Sequence, residues 1–122
     1  MGAQADHIQQ AEHNESLFLA LDARSPTFTD WQMTSLFYAA LHYIDAYLAI
    51  IGLHPKSHRE RGRELASDQF LSSLFVDYQR LKDRSEDARY ELISFNPEFV
   101  RELRANEYER LKTAIGSRLR LP

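Results

Sequence analysis

From Trp31 to Ile51 the chain runs without a glycine or a proline, and most residues there are apolar or aromatic. On a helical wheel of about 100° per residue, the apolar groups cover nearly the whole circumference. The run from Trp31 to Leu53 is long and apolar enough to suggest a membrane span. Gln32, His42 and Asp45 lie inside it, however, and a bilayer centre tolerates Asp poorly. It is therefore predicted as a buried core helix. Its apolar circumference exceeds what one layer of four or five helices readily covers, which predicts a homodimer.

The remaining punctuation arranges the rest of the chain around that helix. A first helix is expected from about Ala5 to Asp22, with Ile8, Ala11, Phe18 and Leu21 near one face. The segment "RSPTFTD" reads as a turn, with Thr29 or Asp30 capping the second helix. Gly52 and then Pro55 end it, and Ser57 with Glu60 forms an S-x-x-E box that opens a third helix. A fourth is predicted from about Gln69 to Leu92, its seam being Leu71, Leu74, Tyr78, Leu81, Ser85, Ala88 and Leu92. Asn96 and Pro97 start a fifth, which carries Phe99, Leu103, Leu111 and Ile115 inward and ends near Gly116. No strand-like alternation occurs. The 122 residues thus predict a single domain (1–122), an all-α, up-and-down bundle of four to five helices.

Two places carry the chemistry. On the central helix, Thr34, Ser35, Tyr38, His42 and Asp45 form a narrow polar stripe, with Trp31 and Ala49 among them; Tyr38, His42 and Asp45 stand one turn apart. Such a stripe is a solvent-facing strip, a satisfied core network or a functional groove. The second place is "HPKSHRER", which concentrates cations on a chain of formal net charge −3. A capped helix N-terminus is an anion site, and Lys56, Ser57, His58 and Arg61 surround this one; His58 and Arg61 share a face. Gly62 allows close approach there. The alternative is a solvated, salt-bridged helix start. On the fourth helix Arg89 and Tyr90 flank the seam, Arg89 reaching the groove or pairing with Glu86 or Asp87.

Other chemistries find less support. Without cysteine there is no disulfide or thiolate, which suits a reducing cytoplasm. The polar start "MGAQADHIQQ" lacks the apolar stretch of a signal peptide, so no membrane partner is expected. His42 and Asp45 resemble half of a bundle metal site, yet His13, Glu12, His58 and Glu64 do not complete the pattern; no metal and no cofactor is expected. Neither a Gly-x-Ser-x-Gly elbow nor a Gly-rich phosphate loop is present.

The run "FYAALHYIDAYLAIIGLHPKSHRERGREL" followed by "YQRLKDRSEDARYEL" resembles the HEPN superfamily, whose name denotes nucleotide binding in higher eukaryotes and prokaryotes. The likeness spans about Trp31 to Leu92. It implies a four- or five-helix bundle, often dimeric across the central helices, that associates with RNA or nucleotides. Some members are metal-independent ribonucleases of toxin–antitoxin or phage-defence systems, with an antitoxin or defence partner protein; others bind without catalysis. This chain lacks the Arg-x4–6-His pair of the catalytic members, since none of its five histidines has an Arg that far upstream. Ser85 and Arg89 stand where relatives carry Arg and Asp. A nuclease here requires a rebuilt set, His42, His58, Arg61 and Arg89, supported by Tyr38, Asp45 and Tyr90. The third alternative is a non-catalytic dimerisation or protein-interaction module.

Overall fold

A computed structural model describes residues 2–24 and 28–120. The elements are α1 (Gly2–Arg24), α2 (Thr29–Ile50), α3 (His58–Ser67), a 3-10 turn (Leu71–Leu74), α4 (Phe75–Tyr90), α5 (Pro97–Leu103), a π turn (Arg104–Tyr108) and α6 (Glu109–Leu119). No strand occurs among the described residues. The protein is an all-α helical bundle, and no described helix is long and apolar enough to cross a membrane. Residues 25–27 of the turn predicted in "RSPTFTD" lie outside the described residues.

α2 is the central element, as its composition predicts. It packs on α1 most extensively, then on α4 and α6. Met33, Leu36, Phe37, Ala39, Ala40, Ile44, Ala46 and Leu48 are fully buried, and of its large apolar residues only Trp31 and Ile50 stay exposed. The apolar circumference that predicted a homodimer is therefore covered within one chain, because α1 lies along it. That argument for a second subunit falls away.

The caps explain where the helices begin and end. α2 starts after Phe28 with no side-chain cap; Thr29 and Asp30 lie inside the first turn instead of capping it, and the Asp30 carboxylate there interacts favourably with the positive end of the helix dipole. At its C-terminus Leu53 N–H donates to Leu48 O (2.8 Å) and Gly52 N–H to Ala49 O (3.1 Å). This Schellman arrangement needs a left-handed residue, and Gly52 supplies it at φ +83°. The predicted box at α3 is present: Ser57 Oγ accepts from Glu60 N–H, and the Glu60 carboxylate accepts from Lys56 N–H, both at 3.1 Å. A Cβ at Gly62 would meet no atom within 4 Å, so nothing in the fold requires glycine there.

Three boundaries differ from the sequence expectation. The fourth helix does not begin at Gln69, because Asp68 Oδ1 accepts from Phe70 and Leu71 N–H (2.9 Å each) and folds a separate 3-10 turn. It ends at Tyr90; Leu92 has φ +55° and is 83% exposed, so it caps the helix instead of extending the seam. Asn96 and Pro97 start α5 as expected, with Asn96 Oδ1 accepting from Glu98 N–H at 2.8 Å. Phe99 faces outward and stacks on Phe95, while Val100 fills the core position. The last helix runs past Gly116 to Leu119, with Leu111 and Ile115 buried.

Candidate functional site

The polar stripe of α2 is covered on three sides by α1, α3 and α4, and it meets their polar residues there. Its floor is an ion pair. Arg61, on the first turn of α3 after the Ser57 cap, donates from Nε to Asp45 Oδ1 (2.7 Å) and from NH2 to Asp45 Oδ2 (2.9 Å). Both side chains are more than nine-tenths buried. Burial works against the charge on Arg61, but the Asp45 hydrogen bonds and charge outweigh it, and its pKa lies above the ordinary guanidinium value. Tyr78 of α4 lies against this pair. Burial, reinforced by Asp45 and Tyr38 and opposed by Arg61, pushes its phenol up to about 12. The hydroxyls of Tyr78 and Ser85 are buried with no hydrogen-bond partner among the described residues.

Histidines and Arg89 form the rim. His58 is exposed, and its Nδ1 lies 3.4 Å from Arg61 NH1, which can only donate. In that arrangement His58 Nδ1 is an unprotonated acceptor. Its pKa lies below the ordinary imidazole value because of partial burial, then the nearby charges of Arg61, Lys82 and Arg89. On the other side His42 Nδ1 and His7 Nδ1 are 3.0 Å apart, so one ring must donate and the other accept. Burial and then His7 and Arg61 lower His42, against the opposing effect of Asp45. Arg89 NH1 donates to Tyr38 Oη at 2.9 Å and Nε to Ser85 O at 3.3 Å. Its guanidinium lies 5.3 Å from the Tyr38 ring centre and 4.9 Å from that of Tyr90. Among the described residues Arg89 has no carboxylate partner, so it is the cation that the groove leaves available. A cavity of about 200 Å³, formed by Asp30, Trp31, Thr34, Ala88, Arg89 and Leu92, opens beside it.

Tyr38, His42, Asp45, His58, Arg61 and Arg89 thus converge, with Tyr90 at the edge. Lys56 and Ser57 stay apart from them and take part in the helix cap. The Glu60 carboxylate sits at that helix start and takes a place an anion would need, so the anion-binding capacity shifts from the loop toward Arg89. His7 is the functional-type residue that the sequence reading left unplaced. It shares a face of α1 with the core residues Ala11 and Phe18, and this spacing turns it toward α2.

His7, His42 and Asp45 each bring a ligand atom within 4.8 Å of the others, and they are the described group that could hold a metal. The donor set suits a cation poorly. Both Asp45 oxygens already accept from Arg61, and a bound metal would sit against that guanidinium.

Comparisons with protein-family models, with curated proteins and with solved structures return no match to this chain. The groove's own geometry is what supports a functional reading.

Proposed function

We propose that this protein is a HEPN-like RNA- or nucleotide-binding bundle whose groove between α2, α3 and α4 receives a phosphate. The observation that carries the reading is Arg89. This guanidinium is ordered by Tyr38 and the Ser85 carbonyl and free of any described carboxylate, on a chain of net charge −3. A guanidinium offers paired donors to phosphate, and the neighbouring Tyr38 and Tyr90 rings and the Trp31 cavity offer surfaces for a base. Arg61 acts at one remove: clamped by Asp45, it orients His58. A toxin–antitoxin or phage-defence setting in the cytoplasm, with a partner protein, belongs to the same proposal and rests on the sequence resemblance.

A second reading, metal-independent RNA cleavage, is favoured by His58 being exposed and held below the ordinary imidazole range. As a base, His58 would take the proton of a ribose 2′-hydroxyl, whose oxygen attacks the adjacent phosphorus while the 5′-oxygen leaves and is protonated by water. Arg89 would neutralise the developing phosphorane charge.

Titration of labelled single-stranded RNA in EDTA, at low and moderate salt, tests both. Wild type is expected to bind at low salt and weaken steeply with added salt. Arg89→Ala is expected to lose affinity and reduce the salt slope by about one, with Arg63→Ala unchanged. Equal losses in the two variants, or no binding at low salt, would remove the proposal. Intact RNA after prolonged incubation would remove the nuclease reading alone.

A further inference from the structure

On the other flank of α1 lies a larger cleft of about 530 Å³, between α1, α2 and α6. His7 faces the groove, while Ile8, Glu12 and Glu15 face this cleft. Tyr43 of α2 forms part of its lining, as do Glu109, Lys112 and Gly116 from α6. Three carboxylates therefore meet one lysine. Glu15 is satisfied: it accepts from Lys112 Nζ (2.9 and 3.1 Å) and from Tyr108 Oη (2.7 Å). Burial alone would raise its pKa, but these hydrogen bonds prevail and hold it below the ordinary carboxylate value. Among the described residues Glu109 accepts only from the neutral Thr113 hydroxyl (2.9 Å), and Glu12 has no partner. The cleft keeps two uncompensated negative charges.

A second observation points to a ligand. Tyr43 is 97% buried by its 3% exposure, yet its hydroxyl makes no hydrogen bond among the described residues, although it lines the cleft. The hydroxyl is the end of the side chain that opens onto the cleft, where a ligand that enters can bond it. Burial, then Glu15, Glu12 and Glu109, push that phenol up to about 12, so it stays a neutral hydroxyl able to accept from an ammonium.

We propose that this cleft binds a small aliphatic polyamine, with ammonium groups on Glu12, Glu109 and the Tyr43 hydroxyl and methylenes against Ile8 and the Tyr43 ring. A bare metal ion fits less well. Among the described residues, the carboxylates here do not bring three ligand atoms within 4.8 Å of one another, whereas an extended cation reaches separated charges. The volume falls in the range of small-molecule sites. Gly116 leaves the wall open, since a Cβ there would meet no atom within 4 Å. This site is independent of the phosphate groove.

Isothermal titration of the full chain with spermidine, against calcium chloride and sodium chloride at matched ionic strength, decides the matter. Spermidine is expected to bind saturably and the salts are not. Tyr43→Phe is expected to weaken spermidine binding about three- to tenfold, the loss of one neutral hydrogen bond. Gly116→Leu, which fills the cleft without removing a contact, is expected to abolish binding while far-UV circular dichroism stays unchanged. The proposal is overturned if spermidine behaves like the salts, if calcium binds as tightly, or if a folded Gly116→Leu binds like wild type.

Discussion

The Arg61–Asp45 pair and the Arg110–Asp77 pair share a two-pronged geometry and differ in burial, which makes them a controlled comparison. Arg110 donates to Asp77 at 3.0 and 2.9 Å, but its side chain is 57% exposed, against 9% for Arg61. Removing Arg61 strands the Asp45 carboxylate beneath α1 and α3, and breaking a buried pair in this way costs about 3–5 kcal/mol. Asp77 is 13% exposed beneath a half-exposed guanidinium, so removing Arg110 uncovers that carboxylate to water and costs about 1 kcal/mol. A domain of this size is stable by about 5–15 kcal/mol, so Arg61→Ala approaches the limit of folding. In urea the expected midpoint shift is roughly 2 M for Arg61→Ala and under about 0.5 M for Arg110→Ala. Replacing both partners, Arg61→Met with Asp45→Leu, is expected to restore most of the loss, because no charge is left buried. Similar small shifts for Arg61→Ala and Arg110→Ala would refute the reasoning, by showing that water reaches Asp45 in the folded chain.

Two further outcomes follow from the same structure. His42 and His58 are held below their ordinary value, so between the folded and unfolded pKa values the native state binds fewer protons; their contribution is present above about pH 6.5 and lost as pH falls through the folded-state values. Thermal unfolding at about pH 5.5 is expected at a lower temperature than at about pH 7.5, and His42→Gln is expected to flatten that difference; an unchanged pH dependence would contradict it. Leu92 occupies a left-handed conformation that strains a branched side chain and buries little of it, so Leu92→Gly is expected to gain about 1 kcal/mol in urea unfolding, and a loss would show that its side chain contributes elsewhere.

The fold was legible where periodicity and caps agree. α2 is central because little of its circumference is polar, and Ser57, Gly52 and Asn96 act at the termini where they were expected. The errors have local causes. Asp68 organises a 3-10 turn through its side chain, and Leu92 takes a cap position usually given to glycine; neither violates the apolar spacing that placed both ends of the fourth helix. Among the site residues, Tyr38, His42 and Asp45 were legible from their one-turn spacing. Arg61 and Arg89 were named as candidates too, but which residue each meets was not legible and His7 was missed, because Arg61, Arg89 and His7 arrive from three other helices whose rotation about their axes only packing fixes. That Arg61 is buried, and so unsuited to act as a free phosphate ligand, depends on Asp45 across the bundle.

The π turn at Arg104–Tyr108 bears on how this chain would be compared with any relative. Its buried positions fall in two sets, Val100, Leu103 and Glu107, then Tyr108, Leu111 and Ile115, each stepping by three and then four. The second set repeats the first one residue out of phase, which is the mark of a single-residue insertion absorbed by widening one turn. The widened turn lets one helix serve two neighbours: Glu107 receives Arg80 of α4 at 2.9 Å, and the Tyr108 hydroxyl reaches Glu15 of α1 at 2.7 Å. A homologue with an uninterrupted last helix would align to this one only through a one-residue gap in the middle of that helix, and a gap-averse alignment would shift Leu111 and Ile115 off their true counterparts.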